Sequence, residues 1–172
     1  MVAADALRFV AMVLGPGEVI VADDYAAGGE PCRIVDLGGR QGDSVLDRRS
    51  WAMANLDDHR RFLCHEPRGH DDMYGGMVVP PDGPGGDVGI VFFHKDGFST
   101  ACGHGTIAIA TWAIDTGRIT APENGEVDVV VDAPSGRLHT VARMVDGRVA
   151  SVRFTKVPSF VSATGLGVGP SF

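Results

Sequence analysis

The segment Thr100-Ala101-Cys102-Gly103-His104-Gly105-Thr106-Ile107-Ala108 constrains this chain more than any other, because it changes the spacing of apolar residues from that of a strand to that of a helix. Before it runs Val88-Gly89-Ile90-Val91-Phe92-Phe93, a short, β-branched and aromatic stretch of the kind that forms buried strands. After it, Ile107, Ala110, Thr111 and Ile114 recur at i, i+3, i+4 and i+7, and Gly117 supplies a stop, which predicts a helix over Thr106 to Asp115. Cys102 then lies at the mouth of that helix. A helix N-terminus carries unpaired N–H groups and partial positive charge, so a thiol placed there is expected to ionise more readily and an anion to rest against the Gly103, His104 and Gly105 amides. The two glycines lack a Cβ and let a ligand come close to the backbone. The residues alone leave two readings of Cys102 open, a reactive thiol or a small buried core residue. A metal site is disfavoured, because His59, His65, His70, His94 and His139 are scattered and give Cys102 and His104 no second pair at ligand spacing.

Around this centre the chain reads as strand-rich. Glu18–Ala22 and Arg33–Leu37 are β-branched runs bounded by Gly15-Pro16-Gly17, Gly28-Gly29 and Gly38-Gly39. Ser44 is a natural N-cap for a helix over Val45–Asn55, and Asp57 or Asp58 opens another to Cys64, with Arg48, Arg49, Arg60 and Arg61 expected on the solvent-facing stripe. Glu66-Pro67-Arg68-Gly69-His70 is a loop, able either to bind ligand or to brace itself by a salt link. Pro80 to Gly86 reads as a surface connection. Extended runs at Glu126–Asp132, Leu138–Val145 and Arg148–Phe154 follow, the last two joined by the hairpin signal Asp146-Gly147. Strands wrapped around one apolar helix predict a curved α+β domain with Cys102 at its rim.

A length of 172 residues, 44% of them hydrophobic, suits a single domain. Net charge is −7 with no block of Lys or Arg, which argues against a nucleic-acid or anionic-membrane partner. Three cysteines, Cys32, Cys64 and Cys102, follow no framework spacing, so reduced thiols and a cytoplasmic setting are expected. Asp5 and Arg8 interrupt the apolar N-terminus, which lacks the basic start of a signal peptide.

Cys102-Gly103-His104-Gly105-Thr106-Ile107 resembles the Met-Cys-Gly-His-Gly-Thr-Ile signature of the proline racemase family, which comprises proline racemases, 4-hydroxyproline epimerases and trans-3-hydroxyproline dehydratases. Further segments match in order: Gly29-Glu30-Pro31-Cys32-Arg33-Ile34-Val35, Glu66-Pro67-Arg68-Gly69-His70 with Asp72-Met73-Tyr74-Gly75-Gly76, Asp132-Ala133-Pro134-Ser135-Gly136, and Val157-Pro158-Ser159-Phe160-Val161. Asp24-Tyr25-Ala26-Ala27 departs from the family's Asp-Thr-His-Thr, with Ala26 in place of the His. The resemblance spans about residues 24 to 161, the N-terminal half of a usual member. It divides the chain into an N-terminal extension over 1–17, for which order and disorder are both open, a domain over 18–161, and a glycine-rich tail over 162–172 leading toward a second domain.

The resemblance implies a diaminopimelate-epimerase-like half, a curved, mostly antiparallel sheet forming a partial barrel around a central helix. It implies cofactor-independent proton transfer at the Cα of proline or hydroxyproline, with one thiol on each face. Carried over residue by residue, Cys102 is one of the two, the Gly103 and His104 amides receive the substrate carboxylate, and the His104 ring either orients the thiol or simply caps the turn. No cofactor or metal is implied. The second family motif, Asp followed by Cys-Gly-Thr, has no match here, and neither Cys32 nor Cys64 precedes Gly-Thr. The expected alternatives are therefore a fragment of a racemase or epimerase, a dehydratase of the same family, a half completed by a homodimer partner, or a non-catalytic domain that binds small carboxylates.

Overall fold

The computed structural model describes residues 4–15, 18–37, 41–158, 161, 163–165 and 167, with the backbone alone at 7–10, 14, 15 and 18. Most of the glycine-rich tail over 162–172, Ser159 and Phe160 of the last motif, and the punctuating Pro16-Gly17 and Gly38-Gly39 lie outside the described residues.

In chain order the elements are β1 (Ala4–Gly15), β2 (Glu18–Ala27), β3 (Glu30–Val35), α1 (Val45–Asn55), α2 (Asp57–Cys64), β4 (Tyr74–Val79), β5 (Val88–His94), β6 (Gly97–Phe98), α3 (Gly103–Asp115), β7 (Gly125–Ala133), β8 (Gly136–Val145) and β9 (Arg148–Phe154). The strands form one sheet in the order β1-β2-β3-β4-β5-β7-β8-β9, with β6 paired to β5. Neighbours are antiparallel except β3 with β4 and β5 with β7. The sheet curls around α3, which packs against β1 to β5 and β7 to β9, so the central helix is enclosed as the spacing predicts.

Strand alternation explains the two cores. Successive side chains point to opposite faces; on β5, Val88, Ile90 and Phe92 join the core around α3, while Val91 and Phe93 join a second core under α1 and α2. A strand covered on both faces must be apolar throughout. That makes β5 legible as a buried strand, whereas β4, with Gly75 and Gly76 inside it, is not. A Cβ at Gly75 would lie 2.4 Å from Phe93 Cζ, and one at Gly76 would lie 2.4 Å from Ile90 Cδ1, so both glycines make room for β5 rather than for a turn.

Residues 4–15 of the extension form β1, antiparallel to β2 and adding a strand at the sheet edge. One expectation needs correction. Of the four arginines expected to face solvent, Arg48 and Arg60 are buried and Arg49 is half-buried. Their guanidinium groups donate to main-chain carbonyls: Arg48 to Pro80 at 2.9 Å, Arg49 to Phe98, and Arg60 to His94 at 2.8 Å and to Lys95. Helices this poor in apolar residues dock through such bonds as well as through their few buried side chains. On α3 the deepest isoleucine is Ile109, fully buried, whereas Ile107 and Ile114 are partly buried.

Candidate active site

Helix α3 begins earlier than its apolar periodicity suggests, because Cys102 itself caps it. The Cys102 backbone is extended (φ −151°, ψ 121°), and its Sγ accepts the Gly105 N–H at 3.3 Å. Thr106 braces the same turn, its hydroxyl donating to the Cys102 carbonyl at 2.7 Å. Gly105 is required by the protein's own packing: a Cβ there would lie 2.7 Å from Phe92 Cε1 and 3.0 Å from the Cys102 sulfur. Gly103 is the open one, where a Cβ would meet only Phe154, at 3.7 Å.

The three residues singled out by sequence, Cys102, Gly103 and His104, thus share the first turn of α3. Both ring nitrogens of His104 lie near the sulfur, Nδ1 at 3.5 Å and Nε2 at 3.6 Å. Burial pushes the ionisation of His104 down, outweighing the opposing effects of the Glu30 carboxylate and the Pro31 carbonyl, so the ring is neutral at pH 7. Tyr74 presents its ring to the edge of His104, with centroids 4.9 Å apart and planes at 78°, and its hydroxyl bonds to Ser99 Oγ.

The thiol does not ionise as its place at a helix mouth suggests. Burial pushes Cys102 up to about 11, helped by Glu30, and the Gly105 and His104 N–H groups and the Tyr74 hydroxyl offset only part of that rise. With 9% of its surface exposed, Cys102 has lost water that would solvate a thiolate, and desolvation outweighs the helix terminus. The other two thiols are more deeply buried: Cys64 is likewise pushed up to about 11 and Cys32 well above its ordinary value, and all three cysteines are free.

Beside the sulfur opens a pocket of about 330 Å³ whose lining includes Cys102, Gly103, Thr106, Ser135, Phe154 and Lys156. Ser135 Oγ is buried there without a hydrogen-bond partner among the described residues. Ala26, where the resembled family has His, opens onto a separate hollow of about 450 Å³ shared with Glu30, Pro31, His70 and Asp72. A larger hollow of about 580 Å³ lies by α2, where the Arg60 guanidinium is already engaged by Asp57 and by main-chain carbonyls.

The Glu66-to-His70 loop serves as a brace. Arg68 lays its guanidinium over the Phe62 ring at 3.9 Å, its carbonyl accepts from Arg33, and a Cβ at Gly69 would collide with the Cys64 carbonyl at 2.0 Å. Among the described residues, no group of three His, Cys, Asp or Glu is placed to hold a metal ion, and no helix is long and apolar enough to cross a membrane. Sequence reasoning missed Tyr74, Ser99, Glu30, Pro31, Ser135 and Lys156 as neighbours of the thiol. Glu30, Pro31, Tyr74 and Ser135 stand inside quoted motifs, but nothing local says that they converge on Cys102.

Comparison with known proteins gives the family and the fold. A family model described as Proline racemase matches residues 22–169. The trans-L-3-hydroxyproline dehydratase of Xenopus tropicalis is 39% identical over 154 residues, covering 88% of this chain and 44% of the relative. The 3-hydroxyproline 2-epimerase of Burkholderia multivorans is 41% identical over 150 residues, covering 84% and 44%. Among solved structures, a hydroxyproline epimerase from Agrobacterium vitis with bound trans-4-OH-L-proline superposes with a TM-score of 0.75 at 27% identity, covering 83% of this chain and 43% of that one. The chain therefore spans less than half the length of these relatives.

Proposed function

The chain belongs to the proline racemase family, and from that membership we propose that it supplies one face of a cofactor-independent site for proton transfer at the Cα of a hydroxyproline or proline, with Cys102 as the thiol of that face. The observation that carries this reading is the placement of the Cys102 sulfur in the first turn of α3, against the Gly105 N–H and beside a pocket of about 330 Å³. The Gly103 and His104 amides receive the substrate carboxylate at the helix mouth, where aligned N–H groups favour an anion. Lys156 on the pocket wall adds a positive charge on that side. Closing the pocket around a ligand leaves the thiolate among fixed N–H and O–H donors instead of water, which is how such a site stabilises charge that develops during proton transfer.

Epimerisation and dehydration share this first step and diverge at the opposite face. There a second acid returns the proton to give the other epimer, or a leaving hydroxyl departs to give an alkene. The relatives named above include both outcomes. The group that decides between them belongs to a second half for which these 172 residues carry no motif, so the chain is read as an isomerase or lyase half-site, with the non-catalytic binding domain as the second reading.

A single thiol has a distinctive signature: a proton removed from and returned to one face exchanges isotope without inverting the centre. Incubating the chain with trans-3-hydroxy-L-proline, trans-4-hydroxy-L-proline and L-proline in D₂O, and following the Cα proton by NMR, tests the reading. The expected result is slow exchange with retained configuration that disappears in Cys102→Ser; exchange no faster than in Cys102→Ser favours the non-catalytic domain.

A further inference from the structure

The turn that joins β7 to β8 is Pro134-Ser135, closed by the Ala133–Gly136 pair. Two contacts fix it beside the segment that leads into α3. The Ser135 N–H donates to the Thr100 carbonyl at 3.0 Å, two residues before Cys102, and a Cβ on Gly136 would lie 3.6 Å from Val157 Cγ1. Ser135 thus lines the pocket next to the sulfur from a backbone held on both sides.

Its hydroxyl is unlike the other polar groups of that pocket. Thr106 donates to the Cys102 carbonyl at 2.7 Å, the Cys102 sulfur accepts from the Gly105 N–H at 3.3 Å, and Lys156 is exposed. Ser135 Oγ is buried with no hydrogen-bond partner among the described residues. Buried hydroxyls are normally paired, and one left unpaired lowers stability, which points to a use outside the chain's own packing. A serine hydroxyl both donates and accepts. With no bond to give up, it turns about χ1 between staggered wells and meets a group that enters the pocket. Its removal from water has already occurred on folding, so a bond made there adds more to affinity than one drawn from a solvated serine.

We propose that Ser135 is a specificity-determining residue of this site, its hydroxyl pairing with a ring hydroxyl of the bound cyclic amino acid and so favouring hydroxylated ligands over proline. The proposal rests on the reading of the pocket as the substrate site and names the group that tells its substrates apart. At the helix mouth Gly103 is open, a Cβ there meeting only Phe154 Cζ at 3.7 Å. Phe154 and Leu138 offer an apolar wall to ring methylenes, and Ser135 stands at the hairpin turn. A cyclic ligand whose carboxylate rests on the Gly103 amide therefore turns its ring substituents toward Ser135.

The test is an NMR titration of the purified, isotope-labelled 172-residue chain with trans-3-hydroxy-L-proline, trans-4-hydroxy-L-proline and L-proline, following the Gly103 and Gly136 amides. In the parent, at least one hydroxylated ligand binds more tightly than proline. In Ser135→Ala that ligand loses affinity roughly tenfold, the scale of one hydrogen bond at a buried group, while proline changes by less than about twofold. The melting temperature of Ser135→Ala stays level or rises, because the variant loses an unpaired buried hydroxyl; a lowered melting temperature with unchanged ligand preference would mark a structural serine and overturn the proposal. Equal affinity of the parent for all three ligands, or an equal loss for all three in Ser135→Ala, also overturns it and leaves the pocket reading in place. Absence of binding by any of the three, or binding that shifts neither glycine amide, overturns the pocket reading and the proposal together.

Discussion

The Arg33 guanidinium holds both carboxylate oxygens of Asp24, Nε to Oδ1 at 2.8 Å and Nη2 to Oδ2 at 2.7 Å, while Nη1 donates to the Leu63 carbonyl at 2.8 Å and the Arg68 carbonyl at 2.7 Å. One buried side chain therefore ties β2, β3, the end of α2 and the loop behind it. Arg33→Met removes one partner of a buried ion pair and leaves two carbonyls without a donor, and it should cost about 3–5 kcal/mol. Arg33→Lys lacks the planar fork and should restore less than half of that loss. Urea melts of the two variants check both statements, and a loss below 1 kcal/mol for Arg33→Met would contradict them.

Ile109 sits at the centre of the enclosed helix with no exposed surface. Ile109→Ala should cost about 2–5 kcal/mol, because the surrounding sheet cannot collapse onto the vacated space. Ile107→Ala and Ile114→Ala, at partly buried positions, should each cost less. Equal losses at the three positions would show that α3 is not held in the orientation described.

Asp132 supplies a pH-dependent contribution. Burial alone raises its ionisation, but two hydrogen bonds from Arg137, at 2.8 and 2.9 Å, and the Asp82 N–H at 2.8 Å outweigh it and hold the carboxyl below its ordinary value. The unfolded chain then binds the proton more readily than the folded one. The resulting stabilisation is fully present above the unfolded value of about 4 and is lost as pH falls through the lower folded value. The stability gap between the parent and Asp132→Asn should be widest at pH 5 and above and should close on acidification toward pH 2. Comparison at fixed pH isolates this residue from Asp57, which Arg60 lowers in the same sense, and from Asp115, which burial raises. A gap independent of pH would refute the linkage.

On its own the 172-residue chain should not invert proline or 4-hydroxyproline. One positioned acid or base is typically worth ~10²–10⁴-fold, and the opposite face has none. Val13, Val19 and Val21 also present an exposed apolar strip on β1 and β2, 60%, 59% and 43% accessible, so self-association that grows with concentration is expected in sedimentation runs. Chiral chromatography beside Cys102→Ser decides the first point. Rapid, Cys102-dependent inversion would mean that two copies complete each other.

Local chemistry was enough to read much of this architecture. Helix α1 begins where Ser44 and Asp47 form a reciprocal capping box, and β8 turns into β9 at Asp146 and Gly147, both with positive φ (50° and 72°). What escaped was set by partners distant in sequence. Gly75 and Gly76 look like a turn until Phe93 and Ile90 are seen to need their space. The arginines of α1 and α2 look solvated until the carbonyls of Pro80, Phe98 and His94 are placed beneath them. At the site, the contiguous Cys102, Gly103 and His104 were legible. Tyr74 and Pro31 were not, because only the strand register brings them to the helix mouth.

The curled sheet has a kinetic consequence. Helix α3 connects the β5 side of the sheet to β7, which pair in parallel, and it touches strands at both ends of the sheet order. It cannot leave its place without separating strands on either side, so its amides should exchange with solvent deuterium only through global opening, while those of edge strand β1 exchange through local fraying. The sulfur of Cys102 is thereby fixed to the slowest-exchanging element of the domain, and any movement that admits a ligand must come from the loops around the helix mouth.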